Sequence, residues 1–422
     1  MRLRVLLSAY YCSPYRGGES AVGWNVAKGL AQYHDVTVIC GDLAGDNPTG
    51  EDIVRLRREG GVPPGLEIIH LPAAEDARRI HDLHARPGLW FLYYEAYRRW
   101  QQQLLGEARR LHAEEPFDLV HHVNIVGFRE PGYLWQMGIP FFWGPISGAP
   151  MVPWPFLKDF GGKERLRWSM RNLANQLQIR RAGRPAEAAR AATKVWAVSP
   201  EDRAVLAGWG VTAEPMLEGG TGSDPEMAKI RRLDQGEPLR ICWSGLFQGI
   251  KELPVLLRAV AGLKPGSFIL EILGDGPEAG RWKELAASLG LDPGIHWHGM
   301  LPRESALGIM DRCHLLVHTS IKEATATVLM EALERAMPVV CHDACGMGTA
   351  ITEECGVKVP LRDPGTSVAG FREALSRLQS SPGLLERLSQ GAAKRARELS
   401  WEEKIRRISD AYLAAVPSSP RA

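Results

Sequence analysis

The sequence predicts an α/β protein with two Rossmann-like domains that face each other across a cleft. Apolar runs alternate with helical stretches from Leu3 to Ala9 onward, and continuous apolar runs are typical of parallel strands buried on both faces. The same alternation starts again at Leu239 to Ser244. Two successive series of similar size indicate two doubly wound sheets.

The turn formed by Ser199 and Pro200 marks the predicted domain boundary. We expect an N-terminal domain from 1 to 199, a second domain from 200 to 399 and a terminal helix from 400 to 416. In the first domain, strands are predicted at 3–9, 36–40, 118–124, 139–145 and 193–198, with helices near 21–33 and 89–112. In the second, strands are predicted at 239–244, 268–273 and 295–298, with helices at 253–262 and 278–289.

Composition and charge limit the classes of function. The chain of 422 residues is long enough for two full cores, and 45% hydrophobic with 24% charged residues is ordinary for a globular protein. A formal net charge of +2 gives no reason to expect nucleic acid as a partner. No apolar run approaches the roughly 18 residues of a membrane span, so we expect a cytoplasmic protein, free or on the inner face of the membrane.

The seven cysteines are odd in number and include no Cys-x-x-Cys pair, which favours free thiols in a reducing compartment. Cys341 and Cys345 flank His342 and Asp343, but one such cluster without a distant partner pair is a poor metal site. We therefore predict no bound metal.

The most informative stretch runs from Ile321 to Val340 and predicts a loop, a helix and a strand that follow the apolar run at 315–317. Glu323 lies at the start of this stretch, and Glu331 follows eight residues later. On one helix the two would lie ~80° apart around the axis and ~12 Å apart along it, too far to act together on one atom. Small residues from 324, including Ala326 and Thr327, open the helix, and free N–H groups there favour a phosphate.

The spacing of Glu323 and Glu331, followed by Ala-Leu and Pro-Val-Val, resembles the donor-binding motif of family 4 glycosyltransferases of the GT-B fold. The resemblance implies that Glu323 contacts the transferred sugar and that Glu331 holds the ribose of the nucleotide. The alternative is that Glu331 is an ordinary exposed helix residue and that Glu323 is an acid favoured by the helix dipole.

Two further loops carry candidate donor-site residues. Gly245 begins a stretch that ends at Lys251, where the family usually has Gly-Arg and then Lys-Gly, and Arg and Lys together neutralise the diphosphate. Here Lys251 is kept, and Leu246 stands where Arg is expected. Gly274 opens a Gly-Asp-Gly-Pro turn that borders the nucleotide base in such enzymes; an NAD site is disfavoured because no acidic residue ends the next strand.

The N-terminal domain offers fewer matches. Gly17 and Gly18 follow the first strand, where the resemblance places a loop over the cleft that meets the donor phosphate or the acceptor; a plain flexible turn is the alternative. At most one of His121 and His122 can face a cleft because strand side chains alternate, and we favour His122. The family pattern near this strand end is His-x-His, which this sequence does not keep, so a structural histidine is the alternative.

The stretch from Phe156 to Lys194 is strongly basic, with ten Lys and Arg between 158 and 194 against three acidic residues. Bulky apolar residues such as Leu166 and Met170 recur there at near-helical spacing. This combination is typical of a helix in a membrane interface, and a solvated basic helix is the alternative.

The resemblance implies a retaining transferase that moves a hexose from a UDP-, GDP- or ADP-sugar to a saccharide or lipid-linked acceptor, in polysaccharide or glycolipid biosynthesis. No separate cofactor is expected. The sequence contains no Asp-x-Asp, so the diphosphate charge is expected to be met by Lys251 and helix N-termini. Two alternatives stay open: a nucleotide-sugar epimerase on the same fold, and an inactive partner subunit that binds a nucleotide sugar.

Overall fold

The structure is a computed structural model of the chain, and it describes residues 1–43, 49–84, 86, 89, 91–222 and 228–416. Trp90, inside the helix predicted from 89 to 112, lies outside this range.

The N-terminal domain is a parallel sheet of seven strands, within the residues described, with the order β3-β2-β1-β4-β5-β6-β7. The strands are β1 (Arg4–Ala9), β2 (Asp35–Cys40), β3 (Leu66–His70), β4 (Leu119–Asn124), β5 (Phe141–Ile146), β6 (Lys194–Ala197) and β7 (Glu214–Pro215). The helices are α1 (Glu19–Leu30), α2 (Thr49–Arg58), α3 (Glu75–His84), α4 (Leu92–Glu114), α5 (Gly162–Arg180), α6 (Gly183–Ala191) and α7 (Pro200–Gly208).

The second domain is a parallel sheet of six strands in the described chain, with the order β10-β9-β8-β11-β12-β13. The strands are β8 (Leu239–Ser244), β9 (Phe268–Leu273), β10 (Ile295–Gly299), β11 (Leu315–His318), β12 (Val339–His342) and β13 (Gly356–Val359). The helices are α8 (Leu253–Val260), α9 (Ala279–Ser288), α10 (Arg303–Met310), α11 (Thr327–Glu334), α12 (Cys345–Ala350), α13 (Pro364–Ser380), α14 (Pro382–Glu398) and α15 (Trp401–Ala415). The predicted fold of two Rossmann-like domains is confirmed.

Three features differ from the prediction. The change of sheet falls between Pro215 and Leu239, after the predicted boundary at 199, because β7 pairs with β6 in the first sheet. Residues 49–84 form α2, β3 and α3, which were not assigned from the sequence. The key helix begins at Thr327 rather than near Ala324, so Glu323 lies in the loop before it.

The terminal helix α15 returns to the N-terminal domain, as predicted. The Tyr412 hydroxyl lies 2.5 Å from His121 Nδ1 on β4, and the Ser409 hydroxyl lies 2.9 Å from His34 Nε2. Tyr412 is fully buried in the hydrophobic core of the N-terminal domain. Because α15 follows the helices of the second domain in the chain, it joins the two domains.

Strand order places the functional loops. In the first sheet the order reverses between β1 and β4, and in the second between β8 and β11. Ligands of open α/β sheets bind at the carboxyl ends of strands at such reversals. The loops that leave these four strands therefore surround the cleft. No helix of the described chain is long and apolar enough to cross a bilayer.

Candidate active site

A cavity of about 500 Å³ lies between the two domains. Residues after β1 and β4, among them Glu19, Val126 and Arg129, form its N-terminal side. Lys322 and Glu323, from the loop after β11, form its C-terminal side. The cavity thus opens where both sheets reverse their strand order.

Glu323 is held by basic and polar neighbours. Its carboxylate forms an ion pair with Lys251 Nζ and accepts a hydrogen bond from the Ser320 hydroxyl at 3.0 Å, while His318 Nε2 lies 3.8 Å away. Burial acts to raise the pKa of Glu323, but His318 and Lys251 outweigh it and lower that pKa to about 2. Glu323 is therefore a fixed carboxylate at the cavity wall.

Lys251 is positioned by the turn after β8. It ends a short 3₁₀ helix (Gly249–Lys251), and its carbonyl accepts a hydrogen bond from the Thr319 hydroxyl at 2.7 Å. This bond ties the loop after β8 to the loop after β11. The structure thus brings together Lys251 and Glu323, which lie 72 residues apart in the sequence.

Two predicted glycines allow the loops after β8 and β9 to touch. Gly274 has φ +128°, and a Cβ there would lie 1.9 Å from the carbonyl oxygen of Gly245. Only glycine fits this contact. Leu246, in the position where Arg was expected, is half exposed on the same loop.

One N–H group just before α11 already donates a hydrogen bond to a carboxylate. Ala326 precedes the helix and Thr327 is its first residue. The N–H of Thr325 already donates to Glu218 Oε1 at 3.2 Å. Burial and the nearby Glu19 raise the pKa of Glu218 to about 7. The N–H groups proposed for a phosphate therefore begin after Thr325.

Glu331 lies on α11 and accepts a hydrogen bond from Arg303 Nε at 2.9 Å. The alternative that Glu331 is an ordinary exposed helix residue does not hold, because its side chain is mostly shielded from solvent and forms an ion pair with Arg303. A ribose would compete with Arg303 for this carboxylate.

The Gly-Gly loop adjoins the cleft without lining the cavity. Gly17 and Gly18 are exposed, and Gly18, with φ +60°, directly precedes α1. The next residue, Glu19, lines the cavity and accepts a hydrogen bond from the Val126 N–H at 3.3 Å. Burial raises the pKa of Glu19 to about 7.

The prediction that His122 faces the cleft is not met. Both ring nitrogens of His122 are buried and lack a hydrogen-bond partner within the described chain, and its Nδ1 faces Gly132. His121 bonds to Tyr412 and to the Gly144 carbonyl. All residues of β4 are buried, so its side chains on both faces of the sheet are covered, and this part of the chain reaches the cavity only from Ile125 onward.

Sequence reasoning missed several cavity residues. Arg167 and Arg171 belong to the basic stretch interpreted as a membrane-interface helix or a solvated helix, and the structure shows that they line the cavity together with Arg129 and Lys322. Lys322 directly precedes Glu323, so its place in the sequence could have identified it as a cavity residue. No sequence pattern points to Arg129, because its place in the cavity depends on how the two domains meet.

Residues 225–395 match the family described as glycosyl transferases group 1. The second domain therefore matches the group 1 glycosyltransferase family over most of its length. The resemblance found in the sequence is therefore confirmed.

Curated relatives agree with this group 1 assignment over part of their length. The chain is 27% identical over 186 residues to a D-inositol 3-phosphate glycosyltransferase of Streptomyces bingchenggensis, covering 41% of this chain and 40% of that protein. It is 29% identical over 189 residues to the lipopolysaccharide core biosynthesis glycosyltransferase LpsD of Rhizobium meliloti, covering 45% and 52%. The match thus spans about half or less of each relative.

Solved structures show the same fold over the whole chain. Sucrose-phosphate synthase from Thermosynechococcus elongatus has a TM-score of 0.63 at 18% identity, covering 98% of this chain and 99% of that one. The lipopolysaccharide outer core galactosyltransferase WaaB has a TM-score of 0.66 at 14% identity, with the same coverage. The two domains and the returning helix form a GT-B fold.

Proposed function

We propose that the chain is a retaining glycosyltransferase that moves a hexose from a nucleoside-diphosphate sugar to a saccharide or lipid-linked acceptor. The observation that carries the proposal is the ionised Glu323, fixed by Lys251 at the wall of a cavity between two domains. This pair lies in the group 1 domain, on the loops that leave the two strands at the sheet reversal.

A nucleotide sugar is the donor class with the best support. Structures of HepE from Anabaena, which share the fold at TM-scores of 0.57 and 0.53, hold UDP and UDP-glucose. In this chain the donor would lie on the second domain, with its sugar at Glu323 and its ribose at Glu331. UDP-, GDP- and ADP-sugars are the candidates.

The residues present suit departure of a diphosphate. Glu323 would accept hydrogen bonds from sugar hydroxyls, and its carboxylate orients the ring. Lys251 would move from Glu323 to the diphosphate, whose negative charge grows as the glycosidic bond breaks, so it stabilises the transition state more than the ground state. With no Asp-x-Asp in the sequence, this charge is met without a metal. The leaving diphosphate would take the proton of the acceptor hydroxyl on the same face, which retains the configuration.

Helix α5 supports contact with a membrane surface. Leu166, Met170, Leu173 and Leu177 are between 49% and 63% exposed and recur every three or four residues along this helix. At ~100° per residue they share one face, so they form a single apolar stripe. Exposed apolar side chains beside basic residues fit an anionic bilayer, which would place the protein on the inner face of the membrane.

A panel of UDP-, GDP- and ADP-sugars tests the function directly. The true donor is expected to raise the thermal midpoint, since a ligand at 100 times its Kd stabilises by about 2.7 kcal/mol. The same donor should then give a glycosylated product with retained anomeric configuration when an acceptor is added. Donor binding without transfer to any acceptor would favour an inactive subunit, and sugar epimerisation without acceptor would favour an epimerase.

A further inference from the structure

Four cationic side chains line one cavity. Arg129, Arg167 and Arg171 come from the N-terminal domain and Lys322 from the second domain. We call these four residues the basic cluster. Arg167 and Arg171 lie on α5, and Lys322 faces them from the other domain, next to Glu323 in the sequence.

The basic cluster contacts neutral partners. Arg129 Nε donates to Gln178 at 2.6 Å and its Nη2 donates to Asn175, while Lys322 Nζ donates to the carbonyl of Pro150. The Arg171 guanidinium lies 5.2 Å from the ring centre of Trp168. Within the residues described, none of the four lies within 4.0 Å of a carboxylate oxygen in an ion pair.

The acidic residues of the cavity do not compensate this charge. Glu323 is paired with Lys251, and the carboxylate of Glu19 faces the Val126 N–H. Burial lowers the pKa of Lys322 to about 8 and also lowers that of Arg129; the charge of Arg171 acts in the same direction on both groups, and Asp202 acts against it. Four cations that converge on one cavity, with no ion-paired carboxylate among the described residues, are suited to binding an anion.

We propose that the basic cluster binds a phosphoryl group carried by the acceptor. Guanidinium groups match phosphate geometry, with two parallel N–H donors to two oxygens, and a lysine adds a point charge. The inference rests on the proposed function, since it takes the cavity beside Glu323 as the acceptor site. An acceptor phosphate at Arg129 and Arg171 would orient the rest of the acceptor toward the sugar at Glu323.

Inorganic phosphate is the first probe, measured by calorimetry on the full chain in low-salt buffer. We expect one site, weakened roughly tenfold or more by Arg171→Gln and by Lys322→Met, because each removes a charge-assisted contact. Arg165→Gln is the matched control, since Arg165 lies on the same helix but does not line the cavity. Lys322→Met tests the cluster from the other domain even if Arg171→Gln does not fold.

Lys251→Ala separates this site from a phosphate at the donor site. Binding that survives Lys251→Ala but not Arg171→Gln supports the basic cluster. Binding that is lost in Lys251→Ala and kept in Arg171→Gln and Lys322→Met would overturn it, as would an equal loss in Arg165→Gln.

Competition then distinguishes the source of the phosphoryl group. Displacement of phosphate by a soluble hexose phosphate indicates a free phosphorylated sugar, and displacement by a polyprenyl-diphosphate-linked sugar in detergent indicates a lipid carrier. An unphosphorylated hexose that competes equally well would overturn the inference. These experiments measure binding and not sugar transfer. A failure to find any sugar donor would therefore count against the proposed function, but the phosphate-binding result could still be interpreted.

Discussion

Lys251 and Glu323 form an ion pair across the two loops that leave β8 and β11, at the wall of the cavity between the domains. Each residue neutralises the charge of the other. Binding of a donor would replace this pair with two new contacts, the diphosphate for Lys251 and sugar hydroxyls for Glu323. The pair therefore holds both charged groups at the place where the proposed donor would bind.

Glu323→Gln is expected to keep the fold and lower kcat by roughly 10- to 100-fold. The variant loses one charge-assisted acceptor for a sugar hydroxyl, which contributes about 1.5–3 kcal/mol. Steady-state kinetics together with the thermal midpoint check this, and Glu353→Gln, at an exposed position outside the cavity, serves as the control. An unchanged kcat in a folded Glu323→Gln protein would remove Glu323 from the site.

Lys251→Ala is expected to lower kcat by ~10²–10³, the scale for loss of one preorganised electrostatic contact. Activity of the unaltered chain should persist in EDTA, because no Asp-x-Asp is present to hold a metal on the diphosphate. Initial rates with and without chelator, for both proteins, measure the two effects. Activity abolished by EDTA and restored by magnesium or manganese would contradict this account.

Leu246→Arg should preserve or raise donor affinity. Leu246 is half exposed on the loop that ends at Lys251, so a longer side chain can extend into solvent or toward the diphosphate without disturbing the core. Donor affinity from thermal shifts over a concentration series measures the change. A loss of affinity without a loss of stability would show that this loop does not face the diphosphate.

The two sheets could be predicted because their strands are continuous apolar runs. Residues 49–84 could not, because α2 and α3 are short and polar, and α2 buries only two large apolar side chains, Ile53 and Leu56. The resemblance to the family motifs pointed to Glu323 and Lys251, which the structure brings together, but the close approach of Gly245 and Gly274 was not predicted.

The rest of the site depends on the relative placement of the two domains. Arg129 and Lys322 come together from opposite domains, which no local pattern encodes. For His122, the alternation of side chains along β4 shows that His121 and His122 lie on opposite faces of the sheet. It does not show where the chain reaches the cavity. Glu218 contacts the Thr325 N–H from the linker after β7, a contact that only the folded chain reveals.

Glu218→Gln is expected to stabilise the fold at pH 8 and not at pH 4. The folded pKa of Glu218, about 7, exceeds the ordinary value of about 4.3, so this residue makes the fold less stable as pH rises from 4.3 through 7. Glutamine still accepts from the Thr325 N–H but carries no charge, so we expect a gain of roughly 1–3 kcal/mol above pH 7. Urea unfolding at both pH values measures it. An equal effect at pH 4 and pH 8 would show that ionisation of Glu218 is not the cause.

The exposed apolar stripe on α5 predicts that the protein binds to anionic membranes. We expect the protein to sediment with anionic vesicles, and Leu166→Ser combined with Met170→Ser and Leu173→Ser to release it. Each large apolar side chain contributes about 1.5–3 kcal/mol when fully buried, so the triple change should weaken binding by more than tenfold even if insertion is partial. The thermal midpoint should stay unchanged, because these side chains are exposed in the fold.

Some basic residues of α5 also line the cavity, so only part of them can be used to test membrane contact by charge reversal. Arg167 and Arg171 line the cavity, so reversing them would disturb the candidate acceptor site as well as any membrane contact. Lys163→Glu and Arg180→Glu are the better pair, since both flank the stripe at ~40–60° around the helix and neither lines the cavity. Each basic residue near the surface contributes about 1 kcal/mol, screened by salt, so reversing this pair should weaken binding most in dilute buffer.

Met300→Ser removes an equally exposed apolar side chain on the second domain and should leave binding intact. Vesicle binding that persists in the triple serine variant and in the charge-reversed pair would mean that α5 is an ordinary solvated helix.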